Sequence, residues 1–509
     1  MWIDFSALDG ALSLLGGSWM AWAVVPLGLM IGLIFGAIPG MQTSMAMAIF
    51  LPATLYMDFL SAMLFLTAIF TGGGFGGGIS SILIGIPGTS TAVATTFDGY
   101  PMTRKGQHNE ALGAALFSSC VGMLFSYVIL FLTIGFLASF VLNFGPLEML
   151  MVALWGVTLI GILGGKSFSK GLLAGLFGLL LGTIGTSPIG VTRGTFGIPD
   201  LLDGIPVVPA MLGLFAVSEL ISLTQRDYIV GSEDSRRLNF GRIIAGFGMA
   251  MRYPGTLLQG SVMGALIGAI PGVGSSVSNL ASYAEARRRD PNPESFGQGN
   301  PKGVVAAESA NSSSEGGSMV TLLALGLPGG GGTAVMLAAF AAHNITGGPK
   351  FIRDQTDIVY AIILGNMAQA FLLLLLGLFT IHFISALVKV PIRYLTAAVL
   401  VMSVTGAYAL TGNMLGPYVL IAFGALGWLM RRFNYSIAAM VVGLLMGSLC
   451  DTNLVYVYQI SGGDWQYLFE RPLALALALL LVVCVAVVPM LRWYRGFSAA
   501  AAQAGRKPA

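Results

Sequence analysis

Charge is what this chain has least of. Lysine, arginine, aspartate and glutamate make up 9% of its 509 residues, against 56% hydrophobic residues and a mean hydropathy of +0.84. Soluble domains carry about a quarter charged residues, so an ordinary water-facing globule is excluded and the chain belongs in a bilayer. Histidine and cysteine are scarce too. Cys120, Cys450 and Cys484 lie far apart in or beside apolar runs, without the spacing of a metal site, and read as structural. His108 and His343 fall in loops, and His382, on an apolar helix, reads as a packed residue rather than a proton relay. No Gly-x-x-x-x-Gly-Lys-Ser/Thr cradle is present, so the glycine runs are not nucleotide sites and no cofactor is expected. The net charge of +3 comes without a basic stripe interleaved with aromatics, which removes nucleic acid as a partner.

The alternation of a membrane β-barrel is missing as well, since Phe371 to Leu376 is apolar on every face. What is present is a succession of apolar runs of roughly 17 to 30 residues, each long enough to cross a lipid bilayer as a helix. The expected fold is an all-α polytopic membrane protein with about eleven full crossings plus re-entrant, broken helices.

Its organising feature is a glycine ladder ended by proline. Gly28, Gly32 and Gly36 lead into Pro39-Gly40, and Gly260, Gly264 and Gly268 lead into Pro271-Gly272. A second proline-glycine break follows each copy, at Gly85-Ile86-Pro87-Gly88 and at Gly326-Leu327-Pro328-Gly329. Glycine at every fourth position lets membrane helices approach closely, and proline then removes a backbone donor and stops the helix. The denser run Gly72 to Gly78 is too rich in glycine for packing alone and reads as a hinge or site lining. The duplication predicts a first membrane repeat over 1–230, a basic connector over 231–252 and a second repeat over 253–471. An extra C-terminal helix and tail occupy 472–509.

Basic residues set the orientation. None occurs before Arg104, so the opening segments are expected outside, and without a basic n-region the N-terminus is expected to stay attached. Arg226, Arg236, Arg237, Arg242 and Arg252 precede the second ladder and Arg287-Arg288-Arg289 follow it. The second ladder is therefore expected to enter from the cytoplasm, opposite to the first, which makes the repeats inverted. Arg492 and Arg495 put the C-terminus in the cytoplasm.

Breaks at membrane depth free amides and carbonyls that lipid cannot satisfy, so they must be buried in protein or line a wet cavity. Polar residues stand just beyond each one. The expected substrate-binding set is Gly40, Thr43, Ser44, Gly88, Thr89, Ser90, Gly272, Ser275, Ser276, Gly329 and Thr333. Restarted helices offer open amides and a partial positive charge, which hold a carboxylate without lysine or arginine. Hydroxyls, amides and a carboxylate suit a small hard cation, and Ser278, Asn279, Asn311, Ser314 and Glu315 are the expected cation-binding set, with no other metal expected. Glu308 reads equally well as a solvated acid, and Glu219 as a snorkelling or paired one.

These residues resemble the large membrane subunit of the tripartite tricarboxylate transporter family, TctA. The match rests on the duplicated Gly-x-x-x-Gly-x-x-Pro-Gly ending at Gly40 and Gly272. The element Gly85-Ile-Pro-Gly-Thr89 is shared as well, and the likeness spans essentially the whole chain. The resemblance implies a bacterial inner-membrane permease that imports citrate or other di- and tricarboxylates, driven by a Na⁺ or H⁺ gradient. It also implies two partners, a periplasmic solute-binding protein and a small membrane subunit of about four helices. A passive channel is an alternative, because re-entrant breaks also build selectivity filters. An intramembrane hydrolase with Ser90 or Ser276 as nucleophile needs a base in reach, and His382 stands alone on another helix, so no enzyme activity is expected.

Overall fold

The computed structural model describes residues 4–38, 41–141, 144–163, 168–223, 238–271, 274–387, 392–464 and 466–483. Gly40, Gly272, Cys484, residues 231–237 of the expected connector and the tail beyond 483 lie outside them.

The described chain is almost wholly helical. Asp4 starts α1 (Phe5–Gly17) by accepting the Ser6 and Ala7 amides, and Ser18 caps α2 (Trp19–Ala37). After the first break comes α3 (Thr43–Phe50), and Asp58 then caps α4 (Phe59–Ile84). Helix α4 ends on Gly85, whose φ of 73° only glycine adopts readily. Beyond the second break lie α5 (Val93–Arg104), α6 (His108–Val141), α7 (Pro146–Leu163) and α8 (Phe168–Leu181). A two-residue ribbon follows, β1 (Gly185–Thr186) antiparallel to β2 (Thr192–Arg193). Next come α9 (Val207–Leu212), α10 (Ser218–Leu223), α11 (Phe240–Met251) and α12 (Pro254–Gly268). The third break separates α12 from α13 (Gly274–Arg289). The fourth separates α14 (Pro301–Leu325), ending on Gly326 at φ 68°, from α15 (Gly331–Ala342). The chain closes with α16 (Pro349–Asp354), α17 (Thr356–Leu387), α18 (Ile392–Thr411), α19 (Leu415–Arg432), α20 (Ile437–Ser461) and α21 (Tyr467–Glu470).

Among the described residues, five helices are long and apolar enough to cross a membrane: α2, α4, α6, α17 and α20. The helices α3, α5, α12, α13 and α15 beside the breaks are shorter, and α14 is too polar, since it carries Glu308, Asn311, three serines in a row and Glu315. The protein is thus an all-α, multi-pass membrane protein.

Contacts divide the chain into two units, each drawing on both halves of the sequence. In the smaller, residues 143–205 and 430–509, α20 packs on α7 and α8 through glycine. A Cβ on Gly178 or Gly182 would strike the Met440 or Leu444 carbonyl, and one on Gly443 would strike the Gly175 carbonyl. Arg471 pairs with Glu148 through two hydrogen bonds of 2.8 Å.

The larger unit, residues 1–142 and 206–429, carries both ladders. Gly28, Gly32 and Gly36 of α2 face the carbonyls of Phe65, Ile69 and Gly73 on α4, where a Cβ has no room. In α12, Gly260, Gly264 and Gly268 face Ala306, Ala310 and Ser314 on α14 in the same way. Both helix pairs share one register. Gly72 to Gly78, expected as a hinge or site lining, is continuous helix within α4, which leaves no hinge there. Its glycines admit neighbours on several sides: Gly72 and Gly76 meet α2 backbone, Gly73 meets Thr43, Gly77 meets Thr89 and Gly78 meets Glu308.

Candidate functional site

The four breaks meet in the larger unit. Ser276, in the first turn of α13, donates to the Ser90 hydroxyl at 3.2 Å. Ser90, in the short turn leading into α5, donates in turn to Gln42 Oε1 at 3.2 Å, just before α3. A Cβ on Gly331, the first residue of α15, would lie 3.4 Å from Ser44, and one on Gly330 would lie 3.4 Å from Gly274 Cα. The starts of α3, α5, α13 and α15 therefore face a common centre. Ser90 is exposed, and Gln42, Ser44, Gly274, Ser276, Gly330 and Gly331 are half-buried, so the rest of the chain leaves the centre open.

The residues expected to bind substrate separate into two layers. Ser44, Ser90 and Ser276 line the open centre. Thr43, Gly88, Thr89, Ser275, Gly329 and Thr333 are buried behind it and shape the breaks. Thr43 and Thr89 fill the space over Gly73 and Gly77, while Gly88 and Gly329 sit against Gly36 and Ser318. Thr333 caps α15 by accepting the Gly330 amide at 2.9 Å, and the Ser275 carbonyl accepts from the Ser278 hydroxyl at 2.9 Å. Gly40 and Gly272 lie outside the described residues. Gln42 belongs to the open layer, although the sequence marks it only as a neighbour of Thr43.

Each residue of the expected cation-binding set has protein partners, and Ser278 donates to the Ser275 and Ala310 carbonyls. Asn279 is a clasp: its Oδ1 accepts the Ala94 amide at 2.9 Å and its Nδ2 donates to the Ala307 carbonyl at 3.0 Å. Asn311 Nδ2 donates to the Gly74 carbonyl at 3.3 Å, and Ser314 donates to the Asn311 carbonyl at 2.6 Å. Glu315 is buried, and its Oε1 accepts from Thr71 at 2.6 Å and from Tyr127 at 3.3 Å. Two turns earlier on the same face of α14, Glu308 is fully buried, accepting from Thr95 at 2.5 Å and Ser119 at 3.0 Å. The solvated reading of Glu308 fails because α5 and α6 cover it with hydroxyls. Their spacing of seven residues on one helix was the available signal.

A further carboxylate, unmarked by any motif, holds the loop before α14. Asp98 on α5 is fully buried. Its Oδ1 accepts the amides of Gly297, Gly299 and Asn300 at 2.7–2.9 Å, and its Oδ2 accepts the Tyr283 hydroxyl at 2.9 Å. At the other end of that loop, Lys302 bonds Asp290 at 2.6 Å and holds its carboxyl below the usual range. The loop thereby ties α5 to α13 and α14.

Ser276 bonds Ser90 and Ser90 bonds Gln42, none of which is a base, so these contacts assemble no nucleophilic pair. Helices that break into a shared polar centre inside a multi-pass bundle define a membrane protein of the broken-helix class, in which the breaks handle solutes. Residues 22–442 match the profile of the family described as the tripartite tricarboxylate transporter TctA family, and the chain belongs to that family. By family it is a membrane transport subunit, and the family points to a transporter rather than an enzyme. Among similar proteins, one of Agrobacterium vitis described as an uncharacterized 52.8 kDa protein in the TAR-I ttuC' 3' region is 31% identical over 478 residues. That match covers 93% of this chain and 94% of the relative. A second from the same organism, described as an uncharacterized protein in the TAR-II ttuC' 3' region, is 32% identical over 231 residues. It covers 45% of this chain and 96% of the relative. No solved structure matches.

Proposed function

We propose that this chain is the large permease subunit of an ion-gradient-driven importer of organic carboxylates. In this reading it works in the bacterial inner membrane with a periplasmic solute-binding protein and a small membrane subunit. The observation that carries the reading is the meeting of four helix starts, with hydroxyls from Ser44, Ser90 and Ser276 and no lysine or arginine among them. Helix N-termini with open amides favour negative charge, and hydroxyls donate to carboxylate oxygens without fixing a permanent counter-charge that would trap the substrate. The shared register of the two ladder pairs supports an inverted-repeat machine, with alternating access at the centre where the repeats meet.

Two measurements test this. With protein reconstituted together with its binding protein and small subunit, Ser90→Ala and Ser276→Ala should each raise the half-saturating substrate concentration about tenfold, the worth of one hydrogen bond to a charged group. Expression should be unchanged. Unaltered uptake kinetics in both variants would remove the centre as the carboxylate site. For topology, single cysteines at Tyr56, which is 83% exposed, and at Arg288, whose side chain is 75% exposed, should react with an impermeant thiol reagent from opposite sides of the membrane. Labelling from one side would rule out the inversion.

A further inference from the structure

The loop over 184–205, which follows α8 in the smaller unit, turns apolar side chains outward. Ile189, Val191, Ile198 and Leu202 are exposed, and Phe196 is 90% exposed. Hydrogen bonds nevertheless hold the loop in one shape. The Ser187 amide donates to the Val191 carbonyl and the Thr186 amide to the Leu202 carbonyl, both at 2.9 Å, and Arg193 pairs with Asp451 of α20. Phe196 sits in a tight turn closed by the Ile198 amide on the Thr195 carbonyl at 2.9 Å, with φ 50° at Phe196 and 77° at Gly197. Left-handed backbone at both central positions makes this a type I′ turn, which glycine, asparagine and aspartate favour. A bulky aromatic residue there is strained, so the needs of the turn do not account for the ring.

Charge says what covers the loop. Helices α8 and α20 run in parallel, since Gly178 meets Met440 and Gly182 meets Leu444. At their starts Lys170 donates to the Phe433 carbonyl at 2.8 Å, and Arg431 and Arg432 precede Phe433 in the chain. The loop follows the far end of α8, where its one basic residue, Arg193, is already paired. By the positive-inside rule the loop faces out of the cell. Asp200 and Asp203 are exposed beside the apolar side chains, and neither pairs with a cation among the described residues. A lipid surface is a poor cover, because elements that lie on anionic headgroups are rich in lysine and arginine. A second copy is poor as well, since a two-fold contact sets the same patch on itself and brings like charges together. A soluble protein with an apolar pocket rimmed by lysine or arginine fits both features. We propose that this loop is the docking surface for the solute-binding protein, with Phe196 as the anchor entering the partner's pocket and Asp200 and Asp203 meeting cations at its rim. The surface rests on the transport reading above and assigns where its soluble partner sits.

Biolayer interferometry of the full chain in nanodiscs, together with its small subunit, against the purified solute-binding protein encoded with it tests the surface without any transport step. Phe196→Ala and Phe196→Gly should each weaken docking at least about tenfold. Phe196→Gly should keep the wild-type melting temperature, because glycine adopts the turn freely, which separates docking from folding. Asp200→Asn combined with Asp203→Asn should slow association at low salt and flatten its salt dependence. Wild-type affinity in both Phe196 variants overturns the surface, as does a wild-type chain that binds no better than empty nanodiscs. Extra emission from Phe196→Trp, over wild type, that brominated lipids quench would place the loop in the membrane and overturn it too. So would a dimer that Phe196→Ala breaks while the binding-protein affinity stays the same. Carboxylate uptake in proteoliposomes is read separately. Uptake that needs the binding protein, with docking indifferent to the loop variants, defeats the surface and leaves the transport reading standing. Docking that depends on Phe196, with no uptake of any organic acid, defeats the transport reading and keeps the surface.

Discussion

Gly32→Val should leave no folded protein in the membrane fraction. A Cβ at Gly32 would drive into the Ile69 carbonyl and lie 2.7 Å from the Gly73 amide, both backbone atoms on α4 that no rotamer change can move aside. Moving α4 away would separate Gly36 from Gly73 and Gly72 from Leu29, so a whole interface is lost rather than one contact. Overpacking of a buried contact typically costs about 1–3 kcal/mol and more where backbone is struck, out of a total stability of about 5–15 kcal/mol. Gly264→Val, the matching position against the Ala310 carbonyl, should fail to the same degree. Gly248→Ala, where nothing lies within 4 Å of an added Cβ, is the control and should express normally. Fluorescence-detected size exclusion of tagged variants reads all three. A monodisperse Gly32→Val protein at wild-type yield would show that the ladder does not set the helix spacing.

Asp98→Ala should lower the melting temperature sharply, whereas Asp98→Asn should lower it modestly. The alanine variant strands three amides, of Gly297, Gly299 and Asn300, together with the Tyr283 hydroxyl. At about 1–3 kcal/mol for each buried group left unsatisfied, the loss approaches the whole stability of a domain. Asparagine keeps an oxygen where Oδ1 accepts the three amides and gives up the tyrosine bond. Because Asp98 joins α5 to the loop before α14, Asp98→Ala should also abolish uptake although Asp98 lies outside the open centre. Equal melting temperatures for the two variants would mean that the loop is held by other contacts.

The breaks were legible because proline and glycine act through their own backbone. Wherever Pro39, Pro87, Pro271 or Pro328 follows an apolar run, the helix before it stops and another begins shortly after. Packing of the ladders was equally legible, since only glycine fits where Gly32 and Gly264 meet carbonyl oxygens. The glycine run Gly72 to Gly78 misled in one respect. Glycine weakens a helix in isolation, and the reading as a hinge follows from that. In the folded protein, close neighbours on several sides hold α4 helical through Ile84.

By itself, then, the sequence determined that the chain is an all-helical membrane protein with four proline-glycine breaks, a duplicated ladder and hydroxyls placed just past the breaks. Each of those is a local property, fixed by hydropathy over one span or by the conformational limits of one residue. Tertiary structure decided which polar residues share a place. Ser90 touches Ser276 and Gln42 across long stretches of chain, Glu308 is covered by Thr95 and Ser119, and Asn279 clasps the backbones of Ala94 and Ala307. Those partnerships depend on how helices distant in sequence pack and on the direction each side chain takes from its helix. Neither is encoded in the composition of any one segment.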